Sequence, residues 1–256
     1  MLLELKGVYK TFGAVTALAG VEFHVDAGEV MALVGDNGAG KSTLIKGIAG
    51  VQPFDSGTIL WDGRQVTIHG PKDAAALGIE VVYQDLALAD NLDVVQNMFL
   101  GREELSSFRR LDEARMEDRT RDTLADLSVT TIKSVRQTVA GLSGGQRQSV
   151  AVAKAVLWNS KLVILDEPTA ALGVAQTRQV LDLVKRLAEN GLAVVLISHN
   201  MSDVFEVADK ITVLRLGQNV AEFDREQTTQ REVVEAITAG KLKYTPGMQE
   251  EEEVVA

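Results

Sequence analysis

The chain of 256 residues has no cysteine, which excludes disulfides and thiolate-bound metals. It has no apolar run approaching the ~18–20 residues of a membrane span, so any work at a membrane goes through a partner. The opening "MLLELKGVYK" lacks the basic start and long apolar stretch of a secretory signal, so the chain is expected to stay in the cytoplasm. Basic residues are also short: 26 stand against 36 acidic ones, for a net charge of −10. That balance is a poor basis for holding a polyanionic backbone, and nucleic acid is not an expected partner. Part of the excess lies in "MQEEEEVVA", where Glu250 to Glu253 repel one another; residues 241–256 are expected to form a solvated, disordered end.

What is present is a globular composition, 46% hydrophobic, and enough length for a sizeable core. Short apolar, β-branched runs alternate with helical segments, the mark of an α/β layer structure. The clearest predicted strands are Val30–Val34, Ile79–Tyr83, Leu162–Leu165 and Ala193–Ile197, the last two apolar enough to be central and parallel. Leu2–Tyr9, Val21–Val25, Thr58–Trp61 and Ile211–Leu214 are shorter or alternate with polar residues, and suit an antiparallel edge sheet. From Leu88 to Trp158 the pattern is helical, with candidates Val94–Leu100, Asp112–Leu127 and Gly144–Trp158. Residues 88–158 therefore read as an insertion into a core built from 1–87 and 159–240.

The stretch "GDNGAGKS", Gly35 to Ser42, follows a predicted strand and precedes a predicted helix, the context a phosphate-cradling loop needs. Gly35, Gly38 and Gly40 let the backbone approach phosphate oxygens; Asp36, Asn37, Ala39 and Thr43 complete the loop. Lys41 would reach the terminal phosphates and the Ser42 hydroxyl would ligate Mg²⁺. Three more predicted strands end in polar side chains: Asp166 and Glu167 before Pro168, His199, and Gln84. At the C-terminal edge of an open sheet these sit where ligands bind, with Asp166 as a magnesium ligand and Glu167 as the base. His199 could hydrogen-bond a γ-phosphate or be structural; Gln84 could ligate Mg²⁺ or hold the water. His24 and His69, placed in the edge sheet, receive no function. A second stretch, "VAGLSGGQRQSV", also looks made for phosphate: Ser143, Gly144, Gly145 and Gln146 open a helix, with Ser143 and Gln146 spaced as a capping box.

These elements in this order, "GDNGAGKS", Gln84, "LSGGQ", "LVILDE" and His199, resemble the ATPase subunit of an ABC transporter from about residue 2 to about residue 225. The resemblance implies a RecA-like P-loop core, an antiparallel β subdomain and an inserted helical subdomain carrying "LSGGQ". It implies ATP and Mg²⁺ as ligands, with an aromatic stacked on adenine, Phe12 or alternatively Tyr9. It also implies two copies meeting head to tail, the "LSGGQ" of one closing over the nucleotide of the other, with Gly144 and Gly145 expected to lie open for unobstructed approach. The chain departs from the pattern at Gly173, where many relatives carry an Asp that reaches across the dimer.

The phrases "ALAGVEFHVDAGEVMALVGDNGAGKSTL" and "VVYQDLALADNLDVVQNMFLGRE" are most similar to bacterial importers of simple sugars, in single-copy form. That implies a homodimer on the cytoplasmic face of the inner membrane, an integral permease, and an extracytoplasmic sugar-binding protein. Leu86, Leu88, Leu92, Val95, Met98 and Phe99 would form the groove for a permease helix, or simply subdomain core. The rival reading is a non-transport ABC ATPase acting on DNA or the ribosome.

Overall fold

Alternation along the central strands decides the layers. In β3 (Val30–Val34), Met31 and Leu33 enter one buried cluster while Val30, Ala32 and Val34 enter others. The computed structural model describes residues 1–107 and 109–240, and the acidic stretch 241–256 lies outside the described residues. The remaining elements, in chain order, flank β3 as follows. Before it come β1 (Leu3–Phe12) and β2 (Val15–Val25); after it come α1 (Lys41–Ile48), β4 (Ser56–Trp61), β5 (Arg64–Val66), α2 (Pro71–Leu77) and β6 (Ile79–Val82). The helical stretch holds α3 (Val94–Phe99), α4 (Glu113–Asp126) and α5 (Gly144–Val156). The chain ends with β7 (Leu162–Asp166), α6 (Val174–Glu189), β8 (Ala193–Ile197), α7 (Met201–Val207), β9 (Lys210–Arg215), β10 (Gln218–Asp224) and α8 (Gln230–Ala239).

Among the described residues the strands form two sheets. One is antiparallel, in the order β2-β1-β4-β5; the other runs β10-β9-β3-β8-β7-β6 and is parallel from β9 to β6. β3 and β8 are buried along their whole length, which is why both read as unbroken apolar runs. On one face, Ile164, Val195 and Leu33 pack against Leu5, Val21 and Phe23 of the antiparallel sheet. On the other, Val163, Leu165, Val194 and Leu196 pack against α5 and α6. The same cluster continues into α3 and α4, so the segment 88–158 shares its core with the sheet.

Ile211–Leu214, expected in the antiparallel edge sheet, instead lies inside β9, hydrogen-bonded in parallel to β3. The polar residue that suggested an edge, Thr212, is fully buried and donates its hydroxyl to Met31 Sδ at 3.3 Å. His69 is outside both sheets, in the turn before α2, where its N–H donates to Asp73; His24 is in β2, 3.5 Å from Glu222. A polar clasp orders the loop after β6. The side chain of Asn97, 0% exposed, accepts from the Ala89 N–H and donates to the carbonyls of Ala89, Leu92 and Asp93.

Candidate functional site

Because β3, β8, β7 and β6 are neighbours in that order and parallel, their C-terminal ends form one row. Gly35, His199 and Gln84 follow those ends, Asp166 is the last residue of β7, and with Glu167 all of them line an open cleft of about 810 Å³. The loop Gly35–Thr43 forms its floor, with Phe12, Val15, Thr16 and Ala17 at one side. Two glycines of the loop are irreplaceable on geometry. Gly35 has φ 150° and a Cβ there would stand 2.2 Å from the Leu214 carbonyl oxygen; Gly40 has φ 104° and its Cβ would stand 2.8 Å from that of Ala17.

Gly40 is the N-cap of α1, so Lys41, Ser42 and Thr43, which line the cleft, are the first turn, where a helix has N–H groups free for phosphate. The Lys41 ammonium donates to the carbonyls of Gly35 at 2.6 Å and Asp36 at 3.0 Å. Burial lowers its pKa, opposed by the carboxylates of Glu167, Asp36 and Asp166. The Asp166 carboxyl is pushed up, first by burial and then by the neighbouring Glu167, while Lys41 pulls it down.

Glu167 occupies left-handed backbone, φ 51°, a conformation that costs a non-glycine residue about 1 kcal/mol or more. Its N–H donates to the Ile197 carbonyl at 3.0 Å, joining the turn after β7 to the end of β8. The result is a contact between two side chains from different strands: Glu167 Oε2 lies 2.8 Å from His199 Nδ1. With Nδ1 so engaged, a phosphate oxygen would have to take Nε2, on a ring that is 78% exposed. Phe12 lines the cleft, half-exposed, whereas Tyr9 does not line it and instead packs over Gly20.

Ser143, Gly144, Gly145 and Gln146 do not line this cleft. The capping box is present: Ser143 Oγ accepts from the Gln146 N–H, and Gln146 Oε1 accepts from the Ser143 N–H. The Gln146 amide also donates to the Thr131 carbonyl at 2.7 Å, so its side chain is committed within its own chain. The two glycines differ. Gly144 is exposed, while Gly145 is buried, contrary to the expectation that both lie open. A Cβ on Gly145 would meet Gln176 Cβ at 3.1 Å, and one on Gly144 would meet Leu172 Cδ2 at 2.9 Å. Sequence reasoning missed this contact, because Leu172 and Gln176 are some thirty residues away. Gly173, beside them, is the N-cap of α6.

The expected permease groove divides. Val95, Met98 and Phe99 are core, whereas Leu86, with Met98 at its base, lines a cleft of about 330 Å³ between β6 and α5 that also holds Tyr83, Arg102, Lys154 and Trp158.

A profile of the ABC transporter family matches residues 18–170. The chain is 46% identical to the fructose import ATP-binding protein FrcA of Rhizobium meliloti, over 94% of its own length and 95% of the relative's. It is 45% identical to the xylose/arabinose import ATP-binding protein XylG of Sulfolobus acidocaldarius, over the same shares of the two chains. A solved structure of the ATP-binding cassette MJ0796, dimeric and bound to ADP and Pi, has the same fold: TM-score 0.72 at 24% identity, covering 88% of this chain and 99% of that one. The phosphate loop, the row of strand ends and these likenesses agree, and the chain belongs to the ABC transporter family as an ATP-binding ATPase subunit.

Proposed function

We propose that this subunit powers import of a simple sugar, as a head-to-tail homodimer on the cytoplasmic side of an integral permease fed by an extracytoplasmic sugar-binding protein. The relatives named for fructose and for xylose or arabinose support the substrate class, and the dimer of MJ0796 supports the assembly. The cleft residues fit Mg²⁺: the hydroxyl of Ser42, the carboxylate of Asp166 and the amide of Gln84 are hard oxygen donors, the kind magnesium takes beside phosphate oxygens and water. When bound, the ion would neutralise charge on the β- and γ-phosphates.

The residues of the chain then divide the work. Phe12 stacks on adenine, the loop N–H groups of Gly35–Thr43 hold the phosphates, and Lys41 exchanges its two carbonyls for phosphate oxygens. Glu167 accepts a proton from the attacking water, and His199 fixes the carboxylate through the 2.8 Å contact while its other nitrogen faces the γ-phosphate. Ser143 and Gly144, exposed at the start of α5, cover the partner's nucleotide, and the helix N-terminus favours its negative charge.

The observation that carries this reading is the Glu167–His199 pair in one cleft with the phosphate loop. Phosphate release by wild type and Glu167→Gln tests it, and equal rates would remove Glu167 as base. Isolation from membranes tests the transport role: association with an integral membrane protein supports it, and recovery with ribosomes or nucleoid overturns it.

A further inference from the structure

A buried carboxylate outside the cleft ties the two catalytic turns together. Asp203, in the first turn of α7, is 5% exposed. Its Oδ2 accepts from the Thr169 hydroxyl at 2.6 Å, and its Oδ1 accepts from the Asn200 amide at 2.9 Å. Thr169 belongs to the tight turn that begins at Glu167, where the Ala170 N–H donates to the Glu167 carbonyl and the Leu172 N–H to that of Thr169. Asn200 adjoins His199, and its N–H donates to Ser198 Oγ at 3.0 Å. One carboxylate thus binds the residue two places after the base and the residue next to its histidine.

We propose that Asp203 is a positioning residue for hydrolysis, setting the register between Glu167 and His199 through Thr169 and Asn200. Among the described residues no cation ion-pairs with Asp203, although burying a carboxylate without one is costly. Capping of α7 does not account for it, since Asn200 Oδ1 already accepts from the Ser202 N–H. What the carboxylate provides is two acceptors for two donors on separate segments. Glu167 needs such support, because its left-handed backbone persists only where the surroundings over-determine it. An error of about 1 Å in the placement of a reacting group can cost about 100-fold in rate.

The inference rests on Glu167 and His199 being the hydrolytic pair. The test uses the full chain with ATP, following phosphate release and nucleotide binding. Asp203→Asn keeps the shape but removes the charge and turns one acceptor into a donor, which Thr169 can meet only by giving up its own donation. It should lower kcat by about 10- to 100-fold while KM stays within about two-fold. Thr169→Val should act likewise, and Thr169→Ser, which retains the hydroxyl, should restore the rate. In a Glu167→Gln background, Asp203→Asn should slow single-turnover hydrolysis no further, since the base it positions is gone. A wild-type kcat in Asp203→Asn, an equal loss in Thr169→Ser and Thr169→Val, or an undiminished further loss in the Glu167→Gln background would each overturn the proposal. If Asp203→Asn does not fold, the Thr169 pair decides: a wild-type rate in Thr169→Val overturns it. Failure of the underlying reading would show separately, as wild-type turnover in Glu167→Gln alone.

Discussion

Glu167 Oε2 and His199 Nδ1 lie 2.8 Å apart although their residues follow different strands, β7 and β8, whose ends pair through Asp166 and Ile197. The sheet register brings the two side chains together, so losing either should harm chemistry more than fold. For Glu167→Gln we expect hydrolysis to fall by about 100- to 10,000-fold with ATP binding intact, read by phosphate release and nucleotide titration.

The trans role proposed for the start of α5 can be tested away from its packing against Leu172 and Gln176. Ser143 is exposed, and a carboxylate there suits the helix N-terminus of its own chain but opposes a partner's γ-phosphate. In a Glu167→Gln background, ATP should produce dimers by size-exclusion chromatography. Adding Ser143→Glu should leave monomers that still bind ATP. A substitution at Gly145 would test something else, because its Cβ would first press on Gln176 of the same chain.

Asn97 supports the loop between Gln84 and α3 from inside the core. Asn97→Ala strips buried partners from Ala89, Leu92 and Asp93. It should cost about 2 kcal/mol of stability, measured by the shift of the urea unfolding curve.

Asp55 joins the start of β4 to β1. The Lys10 ammonium at 2.7 Å, then the Thr11 N–H and hydroxyl, hold its pKa at about 2. Between about pH 4, the ordinary aspartate range, and about 2 the unfolded chain takes up this proton while the folded chain does not. The stabilisation is therefore complete above about pH 4 and lost as pH falls toward 2. Asp55→Asn should be less stable than wild type at pH 5, with the gap closing as pH approaches 2 in parallel unfolding curves.

The strand-loop-helix context of Gly35–Thr43 and the polar ends of β7 and β8 were legible because local pattern and tertiary position agree there. The Ser143–Gln146 capping box was legible for the same reason: it is a contact within four residues. What stayed hidden depends on distant neighbours. Thr212 looks like an edge residue until Met31 is placed beside its hydroxyl, and β10 is too polar to read as a strand without β9 to pair with. The paired glycines suggested open access, yet Leu172 and Gln176 supply a packing reason that no short window contains. Asp203 looks like an ordinary residue of a helical first turn until Thr169 reaches it from 34 positions away.

The hydrogen bonds from Lys41 to the carbonyls of Gly35 and Asp36 give the phosphate loop an internal competitor for its own cation. Any ligand that recruits this ammonium must offer an acceptor better than two neutral oxygens. A charged phosphate oxygen does so, since it adds the attraction between opposite full charges to a hydrogen bond that the ammonium already makes with neutral oxygens. Adenosine does not, however well its base stacks. We therefore expect the loop to discriminate by charge as well as by shape, and a ligand that meets the shape alone to leave Lys41 where it is.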